Sequence, residues 1–382
     1  MKTIKFLMTF AFFALLLVGK LNAQFSGGSG TEQDPYQITS KEDLKALADS
    51  VNNSPSNNES TRYNWSQDKH FILMNDITDS VKTIIGITRM KHFSFDEYDY
   101  FQGNFYGNNY KITLAISASD SMTGLFGSVS RKSIINNLTV DGYVYAGFDE
   151  NTHSVLIPSA GGIAGMNYGK IENCVNKCSI CVYSINDIIN EYGGDHAGGI
   201  AGINCGEINY CKNYGTIETD FHDAGGIAGS GWLPTGGQQH STISHCVNKG
   251  NIYVGKRNIL DKQNSSNAGG IIGFNDGCLV INCINIGTVK GNRTNVGGIA
   301  GAMVAVTISN CINSGFIEGS SVVGGIVGKI IKTVTFSTLS NCINTGTVKS
   351  KYSRMGCIVG YNEGNSTIIN CHYDKQICGG GE

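Results

Sequence analysis

The motif Gly-Gly-Ile-Ala-Gly occurs at Gly161, Gly198, Gly225 and Gly297, and close variants begin at Gly269, Gly324 and Gly356. No other feature of the chain restricts its fold so strongly. Successive starts lie 37, 27, 44, 28, 27 and 32 residues apart, so the unit is 27 residues and the longer intervals carry insertions. The stretch from Met122 to Gly127 reads as a degenerate earlier copy. Within a unit the order is fixed: the glycine motif, then Asn-Cys, then Asn two residues on, then Gly, then Ile or Val. Asn282-Cys283-Ile284-Asn285-Ile286-Gly287-Thr288-Val289 shows it without interruption. Each unit holds about three apolar segments separated by Gly or Asn, too short for helices and rich in Ile, Val and Thr, hence strands. One unit cannot bury its apolar residues alone, whereas a stack of units can. The expected fold class is all-β, a parallel β-helix (β-solenoid) with a short N-terminal capping helix.

Stacking gives meaning to the recurrent polar residues. Equivalent positions on adjacent coils lie about 4.8 Å apart. Asn176, Asn213, Asn248, Asn285, Asn313 and Asn344 would form one hydrogen-bonded ladder within a left-handed turn. Gly215, Gly250, Gly287, Gly315 and Gly346 would supply positive φ at the next corner. Cys174, Cys211, Cys246, Cys283, Cys311, Cys342 and Cys371 hold one repeat position and are expected to be stacked free thiols, acting as small buried hydrophobes. The total of 13 cysteines is odd, which excludes complete intramolecular pairing. The off-pattern Cys178, Cys181, Cys205, Cys278, Cys357 and Cys378 are the better disulfide candidates. Cys178 and Cys181 have C-x-x-C spacing but no second ligand pair, so no metal site and no cofactor are assigned.

Composition narrows the function classes. With 28 basic and 30 acidic residues, nothing points to a nucleic-acid partner or an anionic membrane. Gly is high at 51 residues with only 4 Pro, and 41% of the chain is apolar, which excludes collagen and a disordered linker. Lys2 and Lys5, the apolar run from Phe6 to Val18, and Leu21-Asn22-Ala23 form a signal-peptide pattern over residues 1–23. The run is too short to span a bilayer, so the mature chain is expected to be exported, secreted or on the outer cell surface, with the periplasm as alternative, and not membrane-inserted.

Residues 24–118 read as a cap and first coils, 119–371 as the repeat solenoid and 372–382 as a tail. Pro35-Tyr36-Gln37-Ile38 reads as a strand. Ser40 and Asp43 fit a capping box, and Leu44, Leu47, Ala48 and Val51 fall on one helical face, suited to covering an open first coil. Gly27-Gly28-Ser29-Gly30-Thr31 before Asp34-Pro35-Tyr36, then Phe101-Gln102-Gly103-Asn104-Phe105-Tyr106-Gly107, Gly124-Leu125-Phe126-Gly127 and the glycine-motif series together resemble the GLUG-motif family of exported bacterial surface proteins. The resemblance implies an exported β-helix of the kind found in Bacteroidetes-like bacteria and suspected of adhesion. Related repeats accompany a metalloprotease domain in IgA-specific endopeptidases. None of the eight His here is followed by Glu, so there is no His-Glu-x-x-His and that activity does not transfer.

Insertions are where solenoids usually carry function. Residues 181–196, 218–223 and 253–267 all precede a glycine motif and should leave one corner as a lateral platform. The residue two before each motif is Ser159, His196, Asp223, Asn267, Asn295, Val322 and Arg354 in turn, which makes His196 and Asp223 neighbours, with Asp195, Asp220 and His222 close in sequence. They could form a metal or glycan site or act as an acid/base pair. The competing and favoured reading is a solvated turn that tolerates any polar residue. Residues 230–243, with Trp232 and His240, emerge elsewhere, and Trp232 is read as an exposed aromatic. The cluster Phe93, Phe95, Tyr98, Tyr100 and Phe101 is a second aromatic candidate, with Phe101 and Phe105 assigned to the core. The leading functional reading is a non-catalytic binding scaffold, adhesin-like, recognising glycan or a host or cell-surface protein. The alternative is a carbohydrate-active enzyme, a polysaccharide lyase or hydrolase, which needs several carboxylates, or carboxylates with Arg or Lys, converging on one face.

Overall fold

The structure, a computed structural model, describes residues 24–54, 64–87, 100–119, 122–147, 158–183, 195–220, 222–233, 241–255, 266–292, 294–351 and 354–378. Residues 1–23, the insertion segments 184–194 and 256–265, His240, and Phe93, Phe95 and Tyr98 lie outside these. The chain is a parallel β-solenoid. A full coil has five short strands rather than three, shown by His196–Gly198, Ala201–Asn204, Glu207–Asn209, Lys212–Asn213 and Ile217–Thr219. We number these positions as tracks one to five. Tracks one and two each build an eight-stranded sheet, and track three an eleven-stranded one. Tracks four and five share a sixteen-stranded sheet, fused where the single strand Thr139–Gly147 pairs with both Val175–Asn176 and Ser179–Tyr183. The register places each Gly-Gly motif over the next and pairs all these strands in parallel. Met122–Thr123 and Phe126–Val129 open tracks one and two, as the degenerate copy implied. His372–Tyr373, within the stretch read as a tail, is the last strand of track four.

Inside the coils, apolar residues stack by column. Ile163, Ile200, Ile227, Ile271, Ile299 and Ile326 are fully buried, as are Ile171, Ile208, Ile243, Val280, Ile308 and Leu339. Each such side chain contributes roughly 1.5–3 kcal/mol of transfer free energy. The asparagine ladder forms as expected: each of Asn176, Asn213, Asn248, Asn285 and Asn313 donates from Nδ2 to Oδ1 of the next at 2.8 Å. The thiols of Cys174 to Cys371 are free and form the expected column, each donating to the carbonyl two residues upstream, as Cys246 does to Ser244 at 3.2 Å. Burial raises the thiols of Cys174, Cys246 and Cys311, which keeps them protonated. Of the off-pattern cysteines only Cys357 and Cys378 are bonded to each other; Cys178, Cys181, Cys205 and Cys278 are buried and form no disulfide.

Two corner expectations are overturned. The ladder asparagines are not left-handed, and Gly215, Gly250, Gly287, Gly315 and Gly346 do not have positive φ. The left-handed residue is the one before each cysteine: Asn173 (φ 53°), Tyr210 (57°), His245 (55°), Asn282 (57°), Asn310 (54°), Asn341 (53°) and Asn370 (51°). The corner glycines exist for space, since a Cβ on Gly250 would fall inside contact distance of the Gly215 carbonyl oxygen one coil below. At the N-terminal end the helix α1, Lys41–Asn52, starts as read, with the Asp43 amide donating to Ser40 Oγ at 3.1 Å. Leu44, Leu47, Ala48 and Val51 are buried over the first coil. Asn52 ties α1 down by donating to the Ile84 carbonyl at 2.8 Å.

Candidate functional site

Five of the six sequence-derived site residues meet at the corner where track five turns into track one. His196 and Asp223 are register partners, and His196 Nδ1 lies 3.2 Å from Asp223 Oδ2. Asp223 Oδ1 accepts from Asn267 Nδ2 at 2.8 Å, and Asn267 Oδ1 accepts from Asn295 Nδ2 at 2.9 Å. A second polar ladder therefore climbs the outer side of track one and ends at Val322. The Asp223 amide donates to the Asp195 carbonyl at 3.0 Å. The favoured reading of a solvated turn is wrong: His196, Asp223, Asn267 and Asn295 are only 4–8% exposed, as are Asp195 and Asp220 at 6% and 4%. Tracks one and two approach so closely here that glycine lines their contact; a Cβ on Gly202 would meet the backbone of Ser159 and Ala160. Side chains flanking that seam are buried even though they point away from the main core. Trp232 also departs from expectation. It is the last residue of the track-two strand Ala228–Trp232, and its indole meets the His196 ring edge-on, with centroids 5.5 Å apart at 88°. It is half-buried and packs on Met122, Met166, Ile203 and Cys205.

Charge is costly at this corner. Burial, then the carboxylates of Asp220 and Asp223, push the Asp195 carboxyl up to about 7 from 3.8. Burial lowers the His222 imidazole, with Asp223 opposing and His196 adding to the effect. A carboxyl with a raised folded-state pKa stabilises the fold fully below its unfolded value and loses that contribution as pH rises through the folded value. For Asp195 the window runs from about pH 4 to about 7, and the loss amounts to about 4 kcal/mol. His222 acts with the opposite sign, losing its contribution as pH falls. Asp195→Asn is therefore expected to raise the thermal midpoint at pH 8 and leave it nearly unchanged at pH 4. Wild-type and variant midpoints that run parallel between those pH values would refute this. Among the described residues no group of three or more His, Cys, Asp or Glu is arranged to hold a metal ion. Converging carboxylates are thus present, but buried, and they offer a substrate almost no surface.

An accessible site lies on another face, and sequence reasoning did not single it out. On the corner between tracks three and four, alternate residues of three successive coils point outward. The middle coil presents Tyr210, Lys212 and Tyr214, with the tyrosines 51% and 45% exposed. Below it are Asn173, Val175 and Lys177; above it are His245, Val247 and Lys249. The Tyr210 and His245 rings stack, with centroids 4.7 Å apart at 18°. The Lys249 ammonium lies 5.4 Å from the Tyr214 ring centre. On the coil below Asn173, Tyr143 and Tyr145 stack at 4.8 Å and are 37% and 43% exposed on the same sheet. Tyr210 and His245 stand where Asn occupies the left-handed position in the other coils. A tyrosine pays of order 1 kcal/mol there and a histidine less, and such strain is concentrated at functional sites. The signal was visible in the repeat alignment, as Tyr-Cys and His-Cys in a column of Asn-Cys.

No family model matches the chain, and no curated protein matches it in sequence. In structure it is similar to a Bacteroides ovatus protein described as a "putative immunoglobulin A1 protease" and solved by crystallography. The TM-score is 0.53 at 18% identity, covering 92% of this chain and 87% of that one. At that identity the likeness speaks to the fold, and it extends over nearly the whole solenoid.

Proposed function

We propose that this chain is an exported, non-catalytic scaffold that binds glycan through the aromatic patch at Tyr210, Tyr214 and His245. One observation carries the reading: two coils give up the favourable Asn of the left-handed column for exposed, stacked rings. Sugars present apolar C–H faces to which flat rings fit, and rings held on a β-sheet lose little freedom on binding. The ladders beneath keep the patch rigid. Export is supported by the signal-peptide pattern of residues 1–23 and by the Cys357–Cys378 disulfide, since such bonds persist in oxidising compartments. The GLUG resemblance fits the same picture of a surface-exposed β-helix. The immunoglobulin A1 protease description belongs to the structural neighbour, and this sequence lacks a His-Glu-x-x-His motif.

The test is a glycan array on the mature chain, with wild type compared against the Tyr210→Asn/His245→Asn double variant. Restoring Asn to the left-handed column should stabilise the fold by about 1 kcal/mol or leave it unchanged. Glycan binding should fall at least about tenfold, because two stacking rings are lost. No glycan bound by wild type, or binding untouched in the double variant, would overturn the proposal.

A further inference from the structure

We infer that the glycan taken by the patch is acidic, its carboxylate or sulfate groups received by Lys177, Lys212 and Lys249. This rests on the glycan-binding reading above and adds the ligand's charge. The three lysines are exposed and interleave with the rings, Lys177 and Lys249 flanking Tyr214 along the solenoid axis and Lys212 lying between Tyr210 and Tyr214 along the strand. Among the described residues none of the three has a carboxylate partner, although other lysines on the same sheet do. Lys290 pairs with Glu318 at 2.8 Å and Lys111 with Asp141 at 3.9 Å. The acids bordering the patch are already engaged: Asp141, one coil below Lys177, by Lys111, Glu172 by Lys170 at 3.1 Å, Glu207 by the Asn209 side-chain amide at 3.4 Å, and Glu218 by the Tyr183 hydroxyl at 3.4 Å. A chain with a net charge of −2 thus gathers three uncompensated cations on a surface some three coils high, among aromatic rings. Coils about 4.8 Å apart put Lys177 and Lys249, two coils from each other, about 10 Å apart with Lys212 diagonally between them, so the like charges lie within about one Debye length at low salt and repel until an anion lies over them. A neutral glycan would gain from the rings but would leave that repulsion in place.

The experiment is affinity electrophoresis and calorimetry of the mature chain with polygalacturonate, heparin, a neutral galactan and a single-stranded oligonucleotide. Wild type is compared with the Lys177→Gln/Lys212→Gln/Lys249→Gln variant. All three positions are solvent-exposed, so the variant should keep its fold, checked by its thermal midpoint. The expected result is binding of polygalacturonate or heparin that weakens at least about tenfold in the triple variant and in high salt, each exposed charge contact being modest alone. The two acidic polymers distinguish a carboxylate from a sulfate ligand. Galactan bound as tightly as the acidic polymers, with the triple variant unaffected, would overturn the inference while leaving the aromatic patch as a glycan site. Comparable binding of the oligonucleotide would overturn it in favour of an unselective polyanion surface. If wild type binds none of the four polymers, the inference falls; the glycan array then decides separately whether the parent reading survives.

Discussion

Asn248→Leu is expected to destabilise the central coils by at least about 4 kcal/mol. Asn248 is fully buried and makes four hydrogen bonds. Its Oδ1 accepts from Asn213 Nδ2 at 2.8 Å and from the Gly250 amide at 3.1 Å. Its Nδ2 donates to the Gly250 carbonyl at 3.0 Å and to Asn285 Oδ1 at 2.8 Å. Leucine fills nearly the same volume, so the loss is electrostatic: four buried hydrogen bonds are lost, each costing about 1 kcal/mol or more, and Asn213 Nδ2 keeps only its bond to the Gly215 carbonyl at 3.0 Å. Asn344 makes an internal control. It accepts from Asn313 at 2.8 Å and bonds the Gly346 backbone, but the next ladder position is Tyr373, so one bond fewer is at stake. Denaturant midpoints and amide exchange at Gly250 and Gly287 should show a larger loss for Asn248→Leu than for Asn344→Leu. Equal losses, or a neutral Asn248→Leu, would remove the ladder as a source of stability.

Gly298→Ala should cost about 3 kcal/mol or more through a steric mechanism. Gly298 is the second glycine of its motif, and an added Cβ would run into the Gly325 carbonyl oxygen of the next coil and the Asn313 side chain. Neither obstacle is the free end of a flexible chain; one is backbone in a paired track and the other a ladder amide. Relief would require prising two coils apart. Cys357 occupies the same column, where Tyr373 replaces the ladder asparagine and no described coil lies above, so a side chain fits and bonds Cys378. Cys357→Ala should therefore lose only the staple. In reductant its stability should match wild type, while Gly298→Ala remains impaired. A Gly298→Ala protein as stable as wild type would show that the coils yield more readily than their carbonyl contacts imply.

Much of the architecture was legible in the residues themselves. Asn285 and Cys283 recur at fixed offsets from a glycine motif, and residues at fixed offsets in a solenoid become vertical neighbours, so both columns were foreseen. The capping box at Ser40 and the buried face of α1 were legible for a similar reason, since helix periodicity is local. The corner glycines were misread because a glycine has two uses, positive φ and close approach, and sequence alone does not separate them. Gly250 serves the second, while Tyr210 and His245 bear the left-handed strain that had been assigned elsewhere.

Sequence alone thus determined what lies above and below each residue: His196 beside Asp223, thiol on thiol, amide on amide. That information is one-dimensional, carried by the repeat period. What lies beside each residue was decided by the tertiary structure. The sharp glycine turn folds track two against track one, which buries the polar corner and brings Trp232, at the end of a track-two strand, onto His196 in track one. Lateral contacts depend on the angle and separation of neighbouring sheets, and no period records either. Hence the conspicuous acids and His196 ended in a buried seam, while the tyrosines of an unremarked face were left open to a ligand.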